Sequence, residues 1–283
     1  MIYNTYLFKF IYYILLIMAQ IGKIIITVSI IIVVISTLLL LWYKKEEMKY
    51  FRDDLRTIYS INDPIPVSSK LRDIKIFVIN MEKDKYKKVH MTNFLSKMGF
   101  ANFEFVVPVP LEDIIIDERF NVPNSLPSHS KSLLITNYNI HQKAVSEGYP
   151  EFIIMEDDVD VFMKYPTFEQ IYNDAKKVKF DILYFEFCRA NCADSYKVSD
   201  YLYKLASAWC AGCCLFTNAA SKKILKNFYF TEYLDGVYAT LQIKGDIETY
   251  GYPIMRQKLS IHTNVGKDKK LFALCTEHAD SRE

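Results

Sequence analysis

The chain has 283 residues, of which 51% are hydrophobic, and it carries a formal net charge of +2. This length accommodates one large or two small domains. The near-neutral charge gives no electrostatic reason to expect a nucleic-acid partner, and we predict none.

An apolar stretch near the N-terminus predicts a membrane anchor. Residues 24–42 contain no charged side chain and are long enough for one helical crossing of a hydrocarbon core about 30 Å thick. Trp42, Tyr43 and the lysines that follow resemble an aromatic and cationic interfacial border. We expect a single-pass membrane protein whose C-terminal domain is lumenal, in the endoplasmic reticulum or Golgi, or lies on a viral or host membrane. The flanking cations favour a cytoplasmic domain instead, so the orientation stays open.

Composition divides the chain into three parts. Residues 1–43 form the N-terminal segment that contains the anchor. Residues 44–72 read as a stalk or linker, because they are charged and then carry Pro64 and Pro66, which break regular structure. Residues 73–283 are predicted to form one globular catalytic domain.

Predicted strands and helices alternate along this domain. In chain order, the predicted elements are a strand at 74–80, a helix at 83–98 that ends at Gly99, a strand at 103–109, a helix from Ser128 to about Glu147, a strand at 152–155, a helix at 168–178, strands at 181–187 and 209–217, and a helix at 219–227 that Thr217 or Asn218 caps. The strands are unbroken apolar runs, which indicates burial on both faces. This pattern predicts an α/β fold around a mostly parallel central sheet.

The cysteines leave two interpretations open. All six follow the anchor, and an even number suits disulfides in an oxidising lumen. Small buried thiols are an equally good interpretation, because WCAGCCLF reads as an apolar strand. The six residues are Cys188, Cys192, Cys210, Cys213, Cys214 and Cys275.

The segment EFIIMEDDVDVF, residues 151–162, combines an apolar strand with an acidic end. Glu156, Asp157 and Asp158 follow the strand directly, and Asp160 comes two residues later. Ligands of open α/β sheets bind at the carboxyl ends of strands, and crowded carboxylates repel one another unless a cation joins them. Oxygen ligands of this kind select Mg²⁺ or Mn²⁺, which keep positions for substrate phosphates. The alternative is a solvated acidic turn that caps the next helix.

Three blocks of sequence together resemble glycosyltransferase family 25, which contains lipopolysaccharide and collagen galactosyltransferases. They are IKIFVINMEKDKYKKVHM, SHSKSLLITNYNIHQKAVSEGYPEFIIMEDDVDVF and WCAGCCLFTNAASKKILKN, within residues 74–268. The resemblance implies a nucleotide-sugar-binding fold of the GT-A type with a DXD-like motif. It also implies a UDP-sugar donor, a divalent metal (Mn²⁺ or Mg²⁺), and transfer of galactose or glucose to a protein, lipid or glycan acceptor.

Position by position, the resemblance also implies roles for individual residues. Asp158 and Asp160 would hold the metal and the diphosphate, and His262 would be a further metal ligand. Asp235 is the first candidate for the base that deprotonates the acceptor hydroxyl, ahead of Asp246 and Glu248. The residues near the donor would be Asn80, Lys85, Lys87, Lys88, His129, Glu156 and Asp157.

Each of these residues also has a structural interpretation. Asp235 can be a turn residue before Gly236, His129 a first-turn polar residue, and His262 and His141 structural histidines. The segment NVPNSLPSHS lacks the glycine, glutamate and cysteine that the family often has before its Ser-His pair, and lysine stands where the family commonly has arginine. These departures favour an alternative function, a non-catalytic surface or viral envelope protein that uses the same fold to bind a glycan or nucleotide sugar.

Overall fold

A computed structural model describes residues 18, 29, 32–42, 63–110, 112–113, 125–161, 165–187, 190 and 194–257. The chain divides into two compact units, Met1–Leu55 and Arg56–Glu283. In the first unit, residues 32–42 form a helix with exposed side chains. Across the described residues, none of the helices is long and apolar enough to cross a membrane. Residues 24–28, 30 and 31 of the predicted anchor lie outside the described part.

The second unit alternates strands and helices, as predicted. Its helices α1 to α5 span Lys85–Met98, Ser128–Ser146, Phe168–Ala175, Asn218–Lys226 and Leu234–Ile243. Its strands β1 to β10 span Lys75–Ile79, Phe103–Val106, Glu151–Glu156, Val159–Val161, Ile182–Glu186, Tyr196–Ser199, Leu202–Lys204, Cys213–Thr217, Thr249–Gly251 and Met255–Gln257. A short 3₁₀ helix, Lys70–Asp73, precedes β1.

Eight of these strands form one sheet in the order β2-β1-β3-β8-β5-β9-β7-β6. β2, β1 and β3 are parallel to one another, and β5 is parallel to β9. β8 and β7 run antiparallel to their neighbours, so the other strands share one direction. The prediction of a mostly parallel sheet in an α/β fold is therefore confirmed. We call the edge where β1, β3, β5 and β9 end the carboxyl edge.

The central strands β1, β3, β5 and β8 are buried on both faces, as the unbroken apolar runs predicted. In β3, Ile153 and Met155 belong to one core and Phe152 and Ile154 to the other. α1 and α3 cover the first face, and α2, α4 and α5 cover the second. Each fully buried aliphatic or aromatic side chain contributes about 1.5–3 kcal/mol. The result is a three-layer α/β/α sandwich.

Local signals set the helix ends. Thr217 caps α4 by accepting a hydrogen bond from the Ala220 amide, as predicted. α1 ends at Gly99, which has a φ of 86°, and a Cβ there would lie 3.0 Å from the Ile65 carbonyl oxygen. Glycine adopts this left-handed conformation without steric cost, so the predicted helix end is confirmed.

Three segments differ from the sequence interpretation. The strand predicted at 209–217 starts only at Cys213, because Ser207 and Cys210 have φ values of 52° and 64°, which are not extended. Asp235 lies in the first turn of α5, not in a turn between elements, because residues after it bury an apolar helix face. Ile65, which the sequence interpretation assigned to the linker, is buried, and its amide donates to the Met98 carbonyl at 2.8 Å.

Candidate active site at the carboxyl edge of the sheet

The carboxyl edge brings together three strand ends that carry polar side chains. Ile79 of β1 pairs with Glu156 of β3, so Asn80 and Asp157 follow at the same level. Glu186 ends β5 and pairs with Cys213, the first residue of β8. The parallel arrangement of β1, β3 and β5 thus concentrates carboxyl groups at one edge, as predicted for Glu156 to Asp160.

Asp157 is fully engaged by residues from β1 and α1. Its carboxylate accepts hydrogen bonds from Asn80 Nδ2 at 2.7 Å and from Lys87 Nζ at 2.8 Å. All three residues are buried. Burial by itself lowers the pKa of Lys87, but the hydrogen bond to Asp157 and the charges of Asp157 and Asp158 outweigh it and raise the pKa. The predicted donor-binding residues Asn80, Lys87 and Asp157 are therefore neighbours: Lys87 and Asp157 form a buried ion pair, and Asn80 donates a hydrogen bond to it.

Asp158 and Asp160 are also buried. Among the described residues, Oδ1 of Asp158 accepts no hydrogen bond. Burial raises the pKa of Asp158 to about 6; the positive charge of Lys87 opposes this shift and the charge of Asp157 adds to it. Asp160 lies on β4, and its backbone pairs in register with that of Arg256 on β10. Asp157 and Asp158 in the turn between β3 and β4, and Asp160 on β4, are therefore all held out of water.

Three further carboxyl groups complete the acidic cluster, which we define as Glu156, Asp158, Asp160, Glu186 and Asp235. Burial and the charges of Asp158, Glu186 and Asp235 raise the pKa of Glu156 well above its ordinary value. Burial also raises the pKa of Asp235, although its carboxylate accepts a hydrogen bond from the Cys210 amide, which lowers it. The charge of Asp235 thus raises the pKa of Glu156, although the two residues are 79 positions apart in the chain.

Glu186 is a member of this cluster that the sequence analysis missed. It is buried and accepts a hydrogen bond from the Gly212 amide at 2.9 Å. Burial raises its pKa to about 8; the Gly212 hydrogen bond opposes the shift, and the charges of Asp235 and Asp158 add to it. A Cβ on Gly212 would lie 2.8 Å from Val159 Cγ1 and 2.9 Å from Glu186 Oε2, so any larger residue there would have to displace one of these side chains. The available signal was the same one that marked Glu156, an apolar strand that ends in a carboxylate.

Other predicted site residues lie elsewhere. Lys85, Lys88 and His129 are exposed, and Lys88 Nζ lies 5.1 Å from the centre of the Phe105 ring. Asp246 and Glu248 precede β9, at the opposite edge of the sheet from the acidic cluster, and Glu248 pairs with Lys204. They are therefore poor candidates for the catalytic base. The candidate metal ligand His262 lies outside the described residues.

The acidic cluster offers hard oxygen ligands to a divalent ion. Asp158 is the best-placed donor, because its Oδ1 is buried and has no hydrogen-bond partner among the described residues. Within the described residues, no three His, Cys, Asp or Glu side chains form a metal-binding group. Magnesium-type sites commonly use only one or two protein carboxylates and take their other ligands from substrate phosphates and water. Asp158 fits a site of that kind.

The cysteines follow both of the interpretations that the sequence left open. Cys210 is disulfide-bonded, whereas Cys213 and Cys214 are buried free thiols. Burial raises the pKa of both free thiols well above the ordinary value, so they stay protonated and serve as packing groups. Cys188, Cys192 and Cys275 lie outside the described residues.

Comparisons with known proteins leave the resemblance to family 25 a prediction. No protein-family model and no curated protein matches the chain. Similar solved structures include UDP-glucose pyrophosphorylase in complex with UDP-glucose (TM-score 0.36, 9% identity, 65% of this chain and 74% of that one). Others are a glycosyltransferase involved in glycosylation of the major capsid of PBCV-1 (TM-score 0.29, 15% identity, 54% and 65%) and mouse xyloside xylosyltransferase 1 (TM-score 0.33, 12% identity, 70% and 72%). Similarity at this level does not assign a function to this chain.

Proposed function

We propose that the chain is a membrane-anchored glycosyltransferase of the family 25 type with a GT-A-like fold. It transfers galactose or glucose from a UDP-sugar to an acceptor hydroxyl, with the assistance of Mn²⁺ or Mg²⁺. Residues 24–42 hold it in the membrane, with the catalytic domain on the lumenal side.

The observation that supports this proposal best is the buried Oδ1 of Asp158 at the carboxyl edge. Asp158 is buried and its Oδ1 has no hydrogen-bond partner among the described residues, while Lys87, which contacts this turn, is engaged by Asp157. Burying a carboxylate that lacks a hydrogen-bonded partner is unfavourable. The arrangement is explained if a cation and the diphosphate that it neutralises bind there.

The chemistry assigns a different task to each group. Asp158 and Asp160 would hold the divalent ion, which supplies Lewis-acid stabilisation of the departing diphosphate. Asn80 and Lys87 hold Asp157 and so fix the turn that carries Asp158. Asp235 accepts the proton of the acceptor hydroxyl while that oxygen bonds to the anomeric carbon and UDP leaves with the electrons of the broken bond. The raised pKa of Asp235 makes it a stronger base than an ordinary aspartate.

The test uses the full chain purified in detergent. It is incubated with a panel of UDP-sugars with and without Mn²⁺, and UDP release and donor binding are measured. Asp158→Ala and Asp160→Ala should each lower metal-dependent UDP release by about 10²–10³-fold, the loss typical of groups that stabilise transition-state charge. Asp200→Ala, at an exposed carboxylate, is the matched control and should retain activity.

The outcomes separate two candidate functions. UDP release that both variants abolish establishes the transferase and names its donor. Donor binding without release, even with acceptors present, would favour the non-catalytic binding protein. One observation favours that second candidate, since Lys87 is engaged by Asp157 and is not free to contact a diphosphate. Absence of binding to every UDP-sugar would contradict both.

A further inference from the structure

We propose that Trp209 and Tyr233 form the two walls of an acceptor subsite that binds a saccharide next to Asp235. This inference rests on the proposed function and names its acceptor class, which the transfer chemistry alone leaves open. It is supported by the hydrogen bonds of residues 205–212 and by the exposed aromatic residues that lie close in the chain to Cys210 and to Asp235, the two partners of one hydrogen bond.

Hydrogen bonds from their backbone amides hold residues 205–212 against the rest of the domain. The Leu205 amide donates to the Thr249 carbonyl at 2.9 Å, and the Ala208 amide donates to Gln242 Oε1 at 2.7 Å. Further along, the Cys210 amide donates to Asp235 and the Gly212 amide to Glu186. This segment is a rigid platform, and it leads into the first residue of β8 at the carboxyl edge.

The backbone of this platform is strained. Ser207 and Cys210 both have positive φ values, an unfavourable conformation for residues with a Cβ. Strain of this kind persists where the surrounding structure imposes it, and it is concentrated at functional sites. The disulfide at Cys210 adds a covalent restraint. The platform is thus held in a conformation that the local sequence by itself does not favour.

The platform presents one large apolar side chain to solvent. Within residues 201–218, all of which the structure describes, Trp209 is the one exposed residue, with 37% of its surface accessible. Because Trp209 is bonded to Cys210, the Cys210–Asp235 hydrogen bond fixes its backbone beside the candidate base. Exposed tryptophan on a rigid support is typical of a recognition surface, where one face of the ring packs against a ligand.

Tyr233 supplies the second aromatic group. It is the residue before α5, its side chain makes no capping hydrogen bond, and 50% of its surface is exposed. It lies two residues before Asp235 in the chain. One exposed aromatic residue therefore precedes Cys210, which donates to Asp235, and another lies at the start of the helix that carries Asp235.

This combination suits a sugar ring. One face of a pyranose carries C–H groups that pack on the electron-rich face of an aromatic ring, and its hydroxyls donate hydrogen bonds to carboxylates. An acceptor sugar held between the aromatic groups would present a hydroxyl to Asp235. A peptide or a lipid acceptor lacks this regular alternation of apolar face and hydroxyl edge.

The chain offers a specific probe of this subsite. It contains two tryptophans, Trp42 and Trp209, so Trp42→Phe leaves Trp209 as the one indole fluorophore. The full-length Trp42→Phe chain in detergent would be titrated with methyl β-galactoside, methyl β-glucoside and lactose, and acrylamide quenching of Trp209 would be measured. We expect at least one saccharide to reduce quenching at least twofold. Tyr233→Ala should weaken that saccharide at least tenfold and leave UDP-sugar affinity within twofold.

Tyr196→Ala is the matched control, because Tyr196 is 60% exposed on β6 at the far side of the sheet, and it should not affect saccharide binding. Protection of Trp209 without any UDP-sugar binding would support the subsite and contradict the transferase. UDP-sugar binding without protection by any saccharide would contradict the subsite and leave the transferase intact. Equal effects of Tyr233→Ala and Tyr196→Ala would also contradict it.

Discussion

Two buried polar clusters in this molecule are built in opposite ways. Around His141, every described polar atom has a partner, with Nδ1 3.0 Å from Ser221 Oγ and Nε2 2.9 Å from the Tyr238 hydroxyl. Ser221 in turn donates to the Thr217 carbonyl. At the carboxyl edge, by contrast, the buried Oδ1 of Asp158 has no hydrogen-bond partner among the described residues. The comparison indicates that the His141 cluster stabilises the fold, whereas the unpartnered Asp158 oxygen supports the proposal of a ligand at the acidic cluster.

The ion pair of Lys87 and Asp157 joins the acidic edge to α1, and its removal should have the largest effect on stability. Lys87→Met leaves Asp157 buried without its cation, so we expect a loss of about 3–5 kcal/mol in the free energy of unfolding, measured with urea. Asp157→Leu added to that variant should recover most of the loss. Lys88→Met, at an exposed lysine, is the control, and a similar loss there would refute the argument.

Replacement of Glu186 should stabilise the fold, in contrast to replacement of Lys87, because burying the ionised Glu186 carboxylate without a ligand lowers the free energy of unfolding. Its pKa is raised to about 8 in the folded chain from an ordinary value near 4.5, so stability is highest below pH 4.5 and is lost as pH rises to 8. Glu186→Gln cannot ionise and should be more stable than the parent chain at pH 8, on the order of 3 kcal/mol. The gain should shrink towards pH 4.5. Urea unfolding at both pH values measures it, and a gain that is independent of pH would count against this account.

In the His141 cluster, the buried neutral imidazole should make the folded state less stable at acidic pH. Burial lowers its pKa to about 3, whereas in the unfolded chain it is near 6.5. Only the unfolded chain takes up this proton as pH falls from 6.5 to 3, so stability is present above pH 6.5 and is lost below it. From pH 7.5 to 5 this amounts to about 2 kcal/mol. A His141→Gln chain should be less stable throughout but lack this part of the acid slope, and an unchanged slope would exclude the assignment.

The smallest expected effect tests whether the His141 cluster is satisfied as a unit. Tyr238→Phe removes the hydroxyl that contacts His141 Nε2 and leaves that nitrogen buried without a partner. We expect a loss of about 1–2 kcal/mol by thermal or urea unfolding, with UDP-sugar binding unchanged. If donor binding fell as well, the cluster would belong to the functional site after all.

Several features of the fold could be predicted because they depend on residues close together in the chain. The apolar run that ends at Glu156 is a strand, α1 ends at Gly99, and Thr217 caps α4. The short strands β4, β6, β7, β9 and β10 were not predicted, because three or four residues give no readable period. The helix at Asp235 was missed because Asp-Gly is also a turn signal.

By itself, the sequence determined the α/β layering and the position of an acidic strand end, since hydrophobic periodicity and capping act over a few residues. Only the tertiary structure decided which carboxyl groups lie close enough in space to interact. It paired Asp157 with Lys87, 70 residues away, and placed Glu186 and Asp235 beside Glu156. Burial and charge–charge interactions depend on distance in space, and a local sequence pattern does not contain that distance.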